Sequence, residues 1–255
     1  MVRTVIVTGA SKGIGRVVAL ELARRGYGLM LVARTEVALL ATKEACEALG
    51  AKTAACVLDI TRTDAGPVLR DATLDSFGLP WGLVNNAGMA ESAPLAKSDD
   101  ELLKRHLELN FFAPMRLMRA IVPRMVENKG GRVVNVCSTA ALSGYPYVSA
   151  YAASKHALLG ATRSLAREYA RQGVTFNAVC PGYVETEMFA GTIANIAEKT
   201  GLDEVLAREK LEKLSPQNRV FQPAEVATAI AFLLEDASHG INGQAISIDG
   251  GEIEH

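Results

Sequence analysis

Seven short runs of β-branched and apolar residues alternate with longer stretches of helical pattern, and this alternation limits the fold more than any other feature. The runs lie at 4–8, 29–33, 53–58, 83–85, 133–137, 174–179 and 245–248. Several are apolar at nearly every position, which suits parallel strands covered on both faces. Repeated strand–helix–strand order gives an α/β fold with a parallel sheet and right-handed crossovers. Gly26, Gly50 and Gly173 each follow a helical stretch, where a left-handed C-cap favours glycine. Ser98-Asp99-Asp100-Glu101 reads as a capping box opening a helix that runs to about Asn128. Gln222-Pro223-Ala224-Glu225 opens another, with proline tolerated in the first turn. No linker, repeat or low-complexity tract divides the chain, so a single domain over 1–255 is expected. Segment 187–216 fits no strand. It is charged, with Leu202, Val205, Leu206 and Leu214 at roughly helical spacing and its charges forming a solvated face. It follows the sixth run and would sit at the carboxyl end of the sheet, as a lid over a ligand.

A chain of 255 residues can bury most of its apolar surface without a disulfide or metal staple. Its 27 basic and 28 acidic side chains nearly cancel, which argues against a nucleic-acid or anionic-membrane partner. Cys46, Cys56, Cys137 and Cys180 form no C-x-x-C pair and no cluster with histidine, so no metal is expected. The N-terminal apolar run is too short for a signal peptide, and no stretch is long and apolar enough for a membrane span. A cytoplasmic protein is the expectation.

The first run ends in Thr8-Gly9-Ala10-Ser11-Lys12-Gly13-Ile14-Gly15 and leads into a helix. Glycines there permit a tight turn and close approach of backbone to a pyrophosphate, and the helix N-terminus supplies N–H donors and positive potential. The spacing Gly-x-x-x-Gly-x-Gly differs from G-x-G-x-x-G and lacks the G-K-[ST] ending of a nucleotide triphosphatase loop. Further along, Tyr151 and Lys155 are four apart in a helical stretch and share one face. An ammonium there could lower a phenol from its free value of about 10 toward working pH. A surface Tyr–Lys pair would show the same spacing.

Four stretches together resemble the signatures of the short-chain dehydrogenase/reductase family, in that family's order. They are Thr8 to Gly15, Asn85-Asn86-Ala87-Gly88, Tyr151-Ala152-Ala153-Ser154-Lys155 and Pro181-Gly182. The similarity runs from Val5 to Gly251. It implies a Rossmann-type doubly wound parallel seven-stranded sheet with helices on both faces, in a homotetramer or homodimer joined through the long helices at about 99–127 and 151–172.

The resemblance also implies roles. Tyr151 would donate the proton as the pro-S hydride of the nicotinamide passes to a carbonyl carbon. Ser138, thirteen residues earlier, would hold the carbonyl oxygen, and Lys155 would also bind the nicotinamide ribose. Thr139, Ser143 and Ser149 read as turn or capping residues. Asn110 matches the family's helix asparagine. Pro114 has no N–H, so the carbonyl of Asn110 is free to hold a water linking Lys155 to solvent; a kinked packing helix is the plainer alternative. Gly9, Ser11, Lys12, Gly13, Ile14 and Gly15 would bind the pyrophosphate side. Asp59 and Ile60 would contact the adenine; Asn86, Ala87 and Gly88 would line the groove. Pro181 and Gly182 precede Thr186, which would contact the carboxamide. His156, Trp81 and the Phe111-Phe112 pair read as surface or core residues.

Family members specific for NAD place an acid at the end of the second strand, for the ribose 2′-OH. Here that stretch is Leu31-Val32-Ala33-Arg34, with no acid and a cation at once; Glu36 falls later, in the next helix. Arg34 and Lys12 near the 2′ position suit a phosphate, so NADP(H) is preferred over NAD(H). The loop 140–147 with Met89, Met188 and Phe189 would wall an apolar substrate site. Residues 154–188 resemble bacterial 3-oxoacyl thioester reductases and polyketide ketoreductases. The expectation is therefore a carbonyl reductase acting on a 3-oxoacyl thioester of CoA or acyl carrier protein, with Lys129, Arg132 and Arg171 either attracting the acidic carrier or a CoA phosphate or, as is more common, serving as ordinary surface charges. A secondary-alcohol dehydrogenase or ketone reductase on free small molecules stays open. A non-catalytic dinucleotide-binding regulator stays open too, though Asn110, Ser138, Tyr151 and Lys155 are all present.

Overall fold

The computed structural model describes residues 2–254. Seven strands form one parallel sheet: β1 (Thr4–Thr8), β2 (Gly28–Ala33), β3 (Thr53–Val57), β4 (Gly82–Asn85), β5 (Gly131–Val136), β6 (Val174–Pro181) and β7 (Ala245–Ile248). Their order across the sheet is β3-β2-β1-β4-β5-β6-β7. All pairs are parallel, with Val5 opposite Leu29 on one side and Gly82 on the other. Nine α-helices are described: α1 (Gly13–Arg24), α2 (Glu36–Ala48), α3 (Ala65–Phe77), α4 (Asp100–Leu107), α5 (Ala113–Glu127), α6 (Ser149–Tyr169), α7 (Glu187–Thr200), α8 (Glu204–Glu212) and α9 (Pro223–Leu233). None is long and apolar enough to cross a membrane.

The period-two alternation of strand side chains explains the two cores. Val5, Val7, Leu29, Leu31, Val134 and Val179 face one way, against α1, α2 and α9. Ile6, Met30, Val32, Leu83, Val133 and Phe176 face the other, against α3, α5 and α6. Each large side chain fully buried in this way contributes about 1.5–3 kcal/mol relative to exposure. The doubly wound seven-stranded arrangement is thus what the alternating pattern and the resemblance imply. Gly26, Gly50 and Gly173 all take positive φ, at +79°, +88° and +74°.

The long helix expected from Ser98 differs from the pattern in two ways. The cap is Asp99, whose carboxylate accepts from Leu102 N at 2.8 Å, while the Ser98 hydroxyl donates to the carbonyls of Ala93 and Pro94. The helix is also broken by a π-type turn over Glu108–Phe112, where Ala113 N reaches back five residues to the carbonyl of Glu108. Pro114 lies at the start of α5 and cannot donate, so the wider turn absorbs the lost bond. At the other expected start, Glu225 accepts from the backbone of Gln222 as the capping pattern requires.

Segment 187–216 is helical over 187–200 and 204–212, as the spacing of its apolar residues suggests, but those residues do not all turn inward. Val205, Leu206 and Leu214 are exposed. Asp203 caps α8, and this sets its phase so that Ala207 and Leu211 turn inward, against Phe189, Ile193 and Val220. Phe112, read as core, is likewise exposed, whereas Trp81 is buried with Nε1 donating to Leu234 O at 2.9 Å.

Candidate active site

The sheet order reverses between β1 and β4, and ligands of open α/β sheets bind in the crevice beyond the strand ends at such a point. A cleft of about 780 Å³ opens there. Its floor is the loop after β1. Gly9 has φ +66° and Gly13 φ +54°, where a side chain is strained. A Cβ on Gly15 would lie 2.2 Å from the carbonyl oxygen of Gly9, so that position also tolerates only glycine. The loop is fastened to β4. Thr8 Oγ1 accepts from Asn86 N and Ala87 N, and Asn86 Nδ2 donates to Thr8 O at 2.9 Å. Lys12 stands at the N-cap of α1 without a side-chain cap, so the positive end of the helix faces the cleft. This is a cradle shaped for a pyrophosphate, and it fits a dinucleotide.

The cleft brings together nearly every residue picked out by sequence. Gly9, Ser11, Lys12, Gly13, Ile14 and Arg34 line it from β1 and β2. Asp59, Ile60, Asn86, Ala87 and Gly88 line it after β3 and β4, and Ser138, Tyr151, Lys155, Pro181, Gly182 and Thr186 complete it. Gly15 lies beneath the loop, and Asn110 stands behind the wall. Met89, Met188 and Phe189 are wall residues, as expected.

At the reacting end, Ser138 follows β5 and its Oγ accepts from Ala140 N at 3.1 Å. A Ser138–Tyr151 side-chain hydrogen bond pulls the phenol down, yet burial outweighs it and pushes Tyr151 up to about 12. Lys155 is one helical turn further on, with Nζ 5.9 Å from the Tyr151 ring centroid. Burial pushes the Lys155 ammonium down. Its Nζ donates to Val136 O at 2.8 Å. In this cofactor-free arrangement burial is the largest influence on the phenol and shifts Tyr151 toward its protonated form, and Lys155 is not among the groups that lower it.

Asn110 is buried and fully engaged. Its Oδ1 accepts from Met89 N at 2.9 Å, and its Nδ2 donates to Met89 O and to Ser154 Oγ. The side chain thus ties the π-type turn to the strand-end loop carrying Gly88 and to α6, beside Lys155. Asn85, the first residue of that signature, is a core group whose Nδ2 donates to Asn135 Oδ1.

At the adenosine end, Ala33 closes β2 and Arg34 is exposed on the cleft rim. Glu36 opens α2, as expected. Asp59 accepts from the N–H and hydroxyl of Thr61, and these bonds, with Arg34 nearby, hold its carboxyl below the usual range. Lys12 does not point at Arg34 but forms an ion pair with Glu187, at the start of α7. Arg132 is unavailable to a carrier: it is buried, 4.7 Å over the ring of Trp81, and hydrogen-bonded to Gly131 O. It lies inside β5, between β4 and β6, and a charge count does not reveal that. Sequence reasoning also left out Tyr183, Asn195 and Glu252. Tyr183 sits directly after Pro181-Gly182 and was open to notice; the other two belong to no motif.

The profile of the family described as short chain dehydrogenase matches residues 3–197. The chain belongs to the short-chain dehydrogenase family. This short-chain dehydrogenase is 36% identical over 251 residues to a Streptomyces virginiae protein named for ketoacyl reduction by the monensin polyketide synthase, covering 98% of this chain and 96% of the other. It is 30% identical over 256 residues to a diacetyl reductase, (S)-acetoin forming, of Staphylococcus epidermidis, covering 98% of both. A solved variant of actinorhodin polyketide ketoreductase with NADPH superposes with a TM-score of 0.96 at 31% identity, over 100% of this chain and 98% of that one. The protein is an NAD(P)(H)-dependent oxidoreductase acting between carbonyls and alcohols.

Proposed function

We propose that this short-chain dehydrogenase reduces the 3-oxo group of an acyl thioester, on CoA or an acyl carrier protein, with NADPH. The observation that carries the reading is continuity. One cleft runs from the glycine cradle at β1 to Ser138 and Tyr151, with Lys155 between the strand end and the phenol. When bound, the dinucleotide supplies a hydride to the carbonyl carbon.

The chain's own residues do the rest. The uncapped N-terminus of α1 and the amides of the glycine loop hold the pyrophosphate, and Arg34 meets the 2′-phosphate. Asp59 and Ile60 flank the adenine, Asn86 to Gly88 and Pro181-Gly182 shape the groove, and Thr186 takes the carboxamide. Ser138 holds the substrate oxygen, and the phenol of Tyr151 gives it a proton. Lys155 binds the ribose and passes a proton to Tyr151, taking its replacement from solvent through a water held by the Asn110 carbonyl. Met89, Met188 and Phe189 receive the acyl chain. Helices α7 and α8 act as the lid, over 187–216. We place the enzyme in the cytoplasm, as a single-domain protomer of a homotetramer or homodimer.

A second reading, reduction of free small ketones, is favoured by the name of the Staphylococcus epidermidis relative. The test is a rate comparison with NADPH on acetoacetyl-CoA, diacetyl and a cyclic ketone. The thioester reading expects the highest kcat/KM on acetoacetyl-CoA. A higher value on diacetyl would move the assignment to free ketones.

A further inference from the structure

We infer that Glu252, in the tail beyond β7, is a positioning residue that fixes Tyr145 as a substrate-selecting wall of the cleft. The inference rests on the reading of this cleft as the reductase site. Tyr145 is in the loop between β5 and α6 and lines the cleft with Ser138, Tyr151 and Tyr183. Its hydroxyl donates to the Glu252 carboxylate, 107 residues away in sequence.

The tail is built to present that carboxylate. Asp249 accepts from Gly251 N at 3.1 Å and from Ile253 N at 3.1 Å, clasping the turn on both sides of residue 252. Ser215 Oγ donates to Asp249 O at 2.9 Å and fastens the turn to the segment after α8. Glu252 Oε2 also lies against Gly182, 3.2 Å from where a Cβ would be. Tyr145, Gly182 and the tail therefore form one wall, held by a half-buried carboxylate.

Two consequences follow for substrates. Losing the contact frees the Tyr145 ring, so a ligand long enough to reach it is held less well, whereas a small ligand seated at Ser138 and Tyr151 is not affected. The carboxylate behind that wall disfavours negative charge on the stretch of substrate that passes Tyr145. The substrate class is thus neutral along the stretch that passes Tyr145.

The experiment compares Glu252→Ala, Glu252→Gln, Tyr145→Phe and the Glu252→Ala/Tyr145→Phe double variant on diacetyl and acetoacetyl-CoA. Each of Glu252→Ala and Tyr145→Phe should raise KM for the longer substrate roughly three- to tenfold, and Glu252→Ala should leave kcat and the diacetyl KM within about twofold. The double variant should be no worse than either single one, because both remove one bond. Glu252→Gln keeps an acceptor and should recover most of the loss. Additive effects, or equal KM changes on both substrates, would overturn the inference. Hydrogen exchange reads the contact without turnover: Glu252→Ala should speed exchange at 144–148 and Tyr145→Phe at 251–253. Unchanged exchange in both would also overturn it. Turnover of neither substrate by the wild type would count against the reductase reading alone, leaving exchange to decide the wall.

Discussion

The ammonium of Lys12 is held by the carboxylate of Glu187, so the cofactor cradle at the start of α1 and the start of α7 are tied across the mouth of the cleft. Both side chains are largely exposed, at 65% and 69%, and exposed pairs of this kind are weak and screened by salt. A dinucleotide phosphate entering the cleft competes with Glu187 for Lys12. Glu187→Gln is expected to lower KM for NADPH about two- to fivefold at low salt and to have no effect near ~1 M salt. Steady-state kinetics at both ionic strengths check this. A raised KM would show that the pair steadies the cradle.

Cofactor preference depends on the end of β2. Arg34 is a planar fork on an exposed rim and Ala33 offers no acceptor for a 2′-OH. Charge-assisted hydrogen bonds of this type contribute about 1.5–3 kcal/mol each, reduced here by solvent. NADPH should be favoured over NADH by roughly ten- to a hundredfold in kcat/KM. The double variant Ala33→Asp/Arg34→Leu should reverse that order. The measurement is kcat/KM for both cofactors on one ketone.

The phenol of Tyr151, pushed up to about 12 by burial, is protonated across the neutral range. Proton donation in the reducing direction therefore stays available well above pH 7, whereas alcohol oxidation, which needs the phenolate, rises as pH increases. Removing the Ser138 hydrogen bond removes the pull that lowers the phenol, so Ser138→Ala should move its titration higher still. An ultraviolet difference titration of cofactor-free wild type against Tyr151→Phe reads this directly. Phenolate formation by Tyr151 below pH about 9 would contradict it.

Asn110 is predicted to matter for stability as well as rate. Its amide is buried and makes bonds to Met89 and Ser154. Asn110→Ala leaves the Met89 N–H and carbonyl to find other partners and should cost about 1–3 kcal/mol. Urea unfolding checks the loss. A change below about 0.5 kcal/mol would show that the π-type turn holds the loop without this side chain.

Segment 187–216 should exchange amide protons faster than the sheet and slow when NADPH and a ketone are added. Its anchors are few, chiefly Phe189, Ile193, Ala207 and Leu211. Hydrogen exchange already slow in the cofactor-free protein would show that it does not move as a lid.

The parts of this molecule that were legible in the sequence share one property: their chemistry is local. Gly9, Gly13 and Gly15 sit within one turn, and Tyr151 and Lys155 within one helical step, so spacing alone carries the geometry. Most of the strands, β1, β2, β4, β5 and β6, were legible because both of their faces are buried, which leaves largely apolar runs. What spacing could not convey is what a long side chain meets in space. Lys12 turns to Glu187, and Arg132, in the interior strand β5, packs over Trp81. The phase of α8 follows from its cap at Asp203, and an apolar count over 202–214 does not contain that cap. Glu252 has no motif around it and becomes visible only when the tail is seen against Tyr145.

The central claim is that Tyr151 donates the proton in a carbonyl reduction inside this cleft. The most direct test is NADPH oxidation by wild type and Tyr151→Phe on the best ketone found, with NADPH affinity measured on both by fluorescence titration. Removing one hydroxyl leaves the cradle intact, so affinity should stay within about twofold while kcat falls by about a hundredfold or more. A variant that keeps more than about a tenth of the wild-type rate would contradict the claim and require another proton donor.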